Sequence, residues 1–236
     1  KARALRRKDR PAARAALASA GKLDGALGAL AMSVEARIEL ADGNTERAIE
    51  RFRAAIGAHK THGRVSDALK DAMALTYALL VIERRFDAAR AVLSDVSDLV
   101  GLWPEASARL GYYRGLLAQS TGDVRAALRE FEAAEREATR FGLEVNAANA
   151  RQVRAGLLRD LGRGEEALVV LSTLAKRTED PCGAGHVWND IGWTRLLMRE
   201  SAPHCGADCD PMPPLRKALG LYAQPCGQPM DRRNVH

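Results

Sequence analysis

Apolar residues recur along this chain at three- and four-residue intervals, and Gly or a polar turn separates one such set from the next. In "AQSTGDVRAALREFEAAEREA", from Ala118 to Ala138, one helical stretch ends, a Gly-Asp pair turns the chain, and another begins. The pattern predicts helices over residues 11–20, 24–41, 45–59, 64–83, 86–99, 104–120, 123–140, 143–161, 164–177, 184–200 and 212–223. Runs of Val, Ile, Thr and aromatics that would suit strands are missing, so the chain reads as all-α.

The signal also repeats at longer range. "GKLDGALGAL" from Gly21, "GNTERAIERF" from Gly43, "RRFDAARAVL" from Arg84, "GDVRAALREF" from Gly122 and "GRGEEALVVL" from Gly162 align on Ala26, Ala48, Ala89, Ala127 and Ala167. A large apolar residue follows each Ala: Leu30, Phe52, Leu93, Phe131 and Leu171. Ala lets two helix backbones approach closely, and the large residue one turn on fills the space between neighbouring pairs. From Ala48 onward the period is about 40 residues. The first interval is about half of that, which predicts an irregular N-terminal end.

These marks, together with a small residue in the first helix of successive pairs (Gly115, Ala155, Gly192), resemble the tetratricopeptide (TPR) repeat family in its long-helix bacterial form. The aromatic that usually follows the turn survives only as Phe86, and the Pro that normally closes a unit is mostly absent. The resemblance implies a right-handed superhelical solenoid of roughly five antiparallel helix pairs, with the first helices lining a concave wall. It divides the chain into an irregular basic end (1–22), TPR-like repeats (23–180), and a divergent last pair with a Cys-rich loop (181–236), truncated before a further domain.

Composition narrows the partners. The formal charge is +6 and the pI near 9.4, with bases crowded from Lys1 to Arg14, while acids and bases interleave elsewhere, as in "REFEAAERE". Without interleaved aromatics or a basic stripe, that start reads as a solvated terminus, and nucleic acid is not an expected partner. No apolar run approaches the ~20 residues needed to span a bilayer, and no leader is visible, so a cytoplasmic protein without membrane contact is expected. Lys1 in place of Met, and Asp231 capping a helix that does not follow, suggest an excerpt of something longer.

All four cysteines fall in the last quarter. His204, Cys205 and Cys209 in "HCGADC" could begin a zinc site, completed by Cys182, His186 or Cys226, but the spacing matches no standard motif, and no metal or cofactor is favoured. Packed or loop thiols, or a disulfide, are the other readings. Adjacent His204 and Cys205 make a poor nucleophile pair. Glu165 with Glu166, and Glu35 with Glu39, read as solvated faces rather than acid-base pairs. The chain itself is therefore expected to be non-catalytic.

The groove carries the functional expectation. Counting back from each turn, Asp71, Arg109, Tyr112, Asn149, Gln152, Arg159, Asn189 and Trp193 face inward. The amides suit a peptide backbone, and Tyr112 and Trp193 suit aromatic anchoring, although aromatics at helical spacing more often belong to a core. Finally, "WNDIGWTRLLMRESA", Trp188–Ala202, with the loop and "DPMPPLRKALGLYA" after it, is similar to the arrays that precede a CHAT domain, a caspase-like protease module. That similarity implies the regulatory segment of a larger bacterial protein, binding a protein or peptide in the groove or its own downstream domain. The alternative is the sensor segment of a transcription activator or signalling ATPase.

Overall fold

The computed structural model describes residues 9–201 and 206–224, and every regular element among them is helical. The chain forms two compact units, Lys1–Phe141 and Gly142–His236.

The first unit holds α1 (Arg10–Ser19), α2 (Gly25–Ala41), α3 (Thr45–Thr61), α4 (Val65–Tyr77, continued by a π-helical turn Ala78–Ile82), α5 (Phe86–Asp95), a 3-10 segment (Ser97–Leu102), α6 (Ala106–Ser120) and α7 (Val124–Arg140). The second holds α8 (Glu144–Asp160), α9 (Gly164–Ala175), α10 (Pro181–Ser201), a 3-10 turn (Gly206–Cys209) and α11 (Met212–Tyr222). Helices pack as successive pairs, α2 on α3 and α6 on α7 in the first unit, α8 on α9 and α10 on α11 in the second.

The repeat register has a direct physical expression. Ala48, Ala89, Ala127 and Ala167 are fully buried, and Phe52, Leu93, Phe131 and Leu171 close the same crossings. Gly115 on α6 shows why a small residue sits opposite: a Cβ there would lie 2.6 Å from the Phe131 ring. In the second unit Gly192 plays that part, where a Cβ would lie 2.5 Å from Leu215. The turns share one closure. The amides of Asn44, Asp123 and Arg163 each bond the carbonyl five residues back, at 2.9 Å, with Gly43, Gly122 and Gly162 at positive φ.

Three expectations change. Ala26 and Leu30 are only partly buried and lie on α2, the first helix of its pair, so "GKLDGALGAL" is not a second-helix signal. Gly21 precedes a pair instead of dividing one, and a turn followed by an Ala-rich helix looks alike in both places. The stretch 64–83 is one helix whose last turn widens: Arg85 N–H reaches back six residues to the Leu79 carbonyl at 2.7 Å, and Arg84 takes the left-handed position (φ 54°) that Gly holds elsewhere. The helix expected over 184–200 starts at Pro181, because Asp180 Oδ2 accepts the Gly183 N–H at 2.7 Å and Pro suits the first turn.

At the N-terminal end, α1 meets α2 through a small apolar contact of Ala13 and Leu17 with Val34 and Ile38. Ion pairs supplement it: Arg14 reaches Glu39 at 3.0 Å and Asp42 at 2.6 Å, and Arg10 reaches Asp42 at 2.9 Å. Those two arginines of the basic start are thus struts. Residues 1–8 of that start, and Asp231, lie outside the described residues. No helix among the described residues is long and apolar enough to cross a membrane.

Candidate ligand groove

Successive first helices are tied by a polar bridge that recurs at the repeat period. In the first unit Ser33 on α2 donates to Asp71 Oδ2 on α4, 38 residues on. In the second unit Gln152 Nε2 on α8 donates to Asp190 Oδ2 on α10 at 2.7 Å, also 38 residues on. Ser33 and Gln152 each stand ten positions before their turn glycine, Gly43 and Gly162, so the two bridges occupy one repeat position.

Their surroundings separate them. Asp71 is 2% exposed, bonds Arg37 NH1 at 2.5 Å and lies 3.4 Å from His59 Nε2, while Ser33 Oγ lies 3.0 Å from that same nitrogen. This gathers Ser, His and Asp without the relay order of a hydrolase, where the carboxylate orients the imidazole from the nitrogen opposite the nucleophile. Here Asp71 and Ser33 share Nε2, and His59 Nδ1 meets no polar partner among the described residues. The expectation that Asp71 faces the groove is therefore corrected. It belongs to a buried lock among α2, α3 and α4.

Asp190, by contrast, remains partly open. Burial pushes its carboxyl above the ordinary range, against the lowering effect of the Gln152 amide and of Arg159, whose NH1 lies 3.9 Å away. Arg159 is also held by Asp160 at 2.9 Å. One turn after Asp190, Trp193 is 49% exposed, and Leu197 continues the same stripe. Beside this stripe an open cleft of about 600 Å³ is lined by Arg159, Thr194, Leu197 and Met198 with the start of α9.

Of the residues expected in the groove, Gln152 and Arg159 come together around Asp190, with Trp193 a turn along from it. Asn149 is exposed one turn before Gln152, and Asn189 is half-buried beside Asp190. Arg109 and Tyr112 belong to the first unit. Arg109 is exposed, whereas Tyr112 is half-buried with its ring 5.7 Å from Tyr113 and 5.9 Å from Phe131, and burial raises its hydroxyl pKa. Tyr112 leans on the core, and Trp193 does not. Asp190 was missed by sequence reasoning, although the period that aligns Asn149, Gln152 and Asn189 also marks it.

Within the zinc set, Cys182 and Cys209 are disulfide-bonded, while His204 and Cys205 lie outside the described residues.

No family model matches this sequence, and no curated protein matches it significantly. Solved structures do share its fold. A candidate kinesin light chain from Podosopora anserina with nearly identical TPR-like repeats superimposes with a TM-score of 0.62 at 12% identity, covering 85% of this chain and 98% of that one. A point-substituted variant of the same protein gives 0.63 at 12% identity, covering 86% and 98%. The fold is accordingly that of a TPR-like repeat protein.

Proposed function

We propose that this chain is a non-catalytic protein-interaction scaffold, and that the face shared by α8 and α10 holds an extended peptide. The observation carrying this reading is the Gln152–Asp190 bridge with Trp193 standing exposed one turn beyond it. A large aromatic left half in water beside fixed polar groups is the kind of side chain that dominates binding energy once covered. Asn149 and Asn189 flank the bridge with amides that can pair a peptide backbone. In the first unit, exposed Arg109 and half-buried Tyr112, which rests on Phe131, are proposed as groove residues.

The finer reading takes the chain as the regulatory segment of a larger bacterial protein, on the resemblance of Trp188–Ala202 to arrays that precede CHAT protease domains. The sensor segment of a transcription activator or signalling ATPase is the alternative.

The test is selection of peptides from a random display library on the whole chain, followed by calorimetric titration of the enriched peptide. Trp193→Ala should weaken that peptide at least about tenfold without lowering Tm, because the ring contributes little to the core. A library that yields no enriched sequence, or a peptide bound equally by Trp193→Ala, would overturn the proposal.

A further inference from the structure

The carboxylate of Asp190 is short of positive charge. Its Oδ2 accepts the Gln152 amide at 2.7 Å, whereas Arg159 NH1 stands 3.9 Å from Oδ1, beyond hydrogen-bond reach. Arg159 is engaged elsewhere, its Nε donating to Asp160 Oδ1 at 2.9 Å. Asp160 in turn acts on Asp190 as a like charge. Two carboxylates therefore share one guanidinium at this place. The imidazole of His186 also acts on Asp190, but its Nδ1 lies 3.2 Å from the Tyr222 hydroxyl. With a quarter of its side chain exposed, Asp190 is open to a ligand's cation.

Tryptophans elsewhere in the chain show what an indole takes. Of the three, Trp103 in the first unit has Lys70 Nζ 5.1 Å from its ring centroid, and Trp188 in the second has Lys217 Nζ at 3.9 Å. Among the described residues no cation lies over Trp193, although that ring is half exposed. Side chains three apart on a helix are neighbours, with Cβ atoms about 5–6 Å apart, so Asp190 and Trp193 can be met by one side chain. Arginine suits both ends. Its planar guanidinium stacks on an indole, and its N–H fork fits a carboxylate that keeps unused lone pairs.

We propose that the peptide held by α8 and α10 inserts an arginine over Trp193 that ends on Asp190 Oδ1. This rests on the peptide reading given above and sets the chemistry of the partner: a basic segment, not an acidic one. Arg159, tied to Asp160, is not free to recruit a carboxylate, and an acidic side chain placed here would meet Asp190 and Asp160 together.

The test is two parallel selections from one random peptide display library, on the full wild-type chain and on Asp190→Asn. Arginine should be enriched at a fixed position of the wild-type pool and lose that enrichment on the variant. In calorimetric titration, replacing that arginine by uncharged citrulline should weaken the leading peptide at least about tenfold on wild type and no more than about twofold on Asp190→Asn. Should Asp190→Asn misfold, Trp193→Ala takes its place in the same cycle, with a citrulline loss at least about threefold smaller than on wild type. A pool enriched without arginine, a pool enriched in acids, or a citrulline loss equal on wild type and variant would overturn this proposal and leave the peptide reading standing. A library that enriches nothing would overturn both.

Discussion

His59 carries a titratable ring that the fold buries completely. Burial lowers its pKa below the ordinary 6.5, against the carboxylates of Asp71 and Asp67, which favour the charged ring, while Arg64 and Arg37 add to the lowering. The folded ring is neutral near pH 7. Below about 6.5 the unfolded chain binds a proton that the folded chain resists, so the stability this group leaves intact above 6.5 is lost as pH falls. Between about pH 7 and 5 the Tm of the wild type should fall by more than that of His59→Gln. Equal slopes for the two proteins would show that His59 is not held neutral by the fold.

At the scale of the element, the close crossing of α6 and α7 is the repeat reduced to two residues. Gly115→Ala puts a Cβ against the Phe131 ring, which has no room to move outward, and should cost about 1–3 kcal/mol despite the better helix propensity of Ala. Phe131→Leu should lose less stability in the Gly115→Ala background than alone, a coupling that a double-mutant cycle in urea would measure. Strict additivity would mean that the two helices do not meet there. This crossing was legible in the sequence because a small residue, a turn and an Ala-Phe pair leave a fixed spacing. The π turn at Ala78–Ile82 was not, since Arg84 carries no Gly to mark the left-handed position. Nor was the burial of Asp71: the period places Asp71 and Asp190 alike, and only His59 and Arg37, contributed by neighbouring helices, decide that one is locked and the other open.

For the molecule as a whole, two units built from one repeat put one ladder position to two uses. In the first unit the bridge closes on itself among buried partners. In the second it stands beside an exposed tryptophan and an open cleft, where the peptide is proposed to lie. Hydrogen exchange across the full chain, with and without the peptide selected from the library, would locate that binding. Protection should rise in α8 around Asn149–Arg159 and in α10 around Asn189–Leu197, with α3 and α5 unaffected. Protection gained in the first unit with α8 and α10 unmoved would rule out a peptide site on α8 and α10.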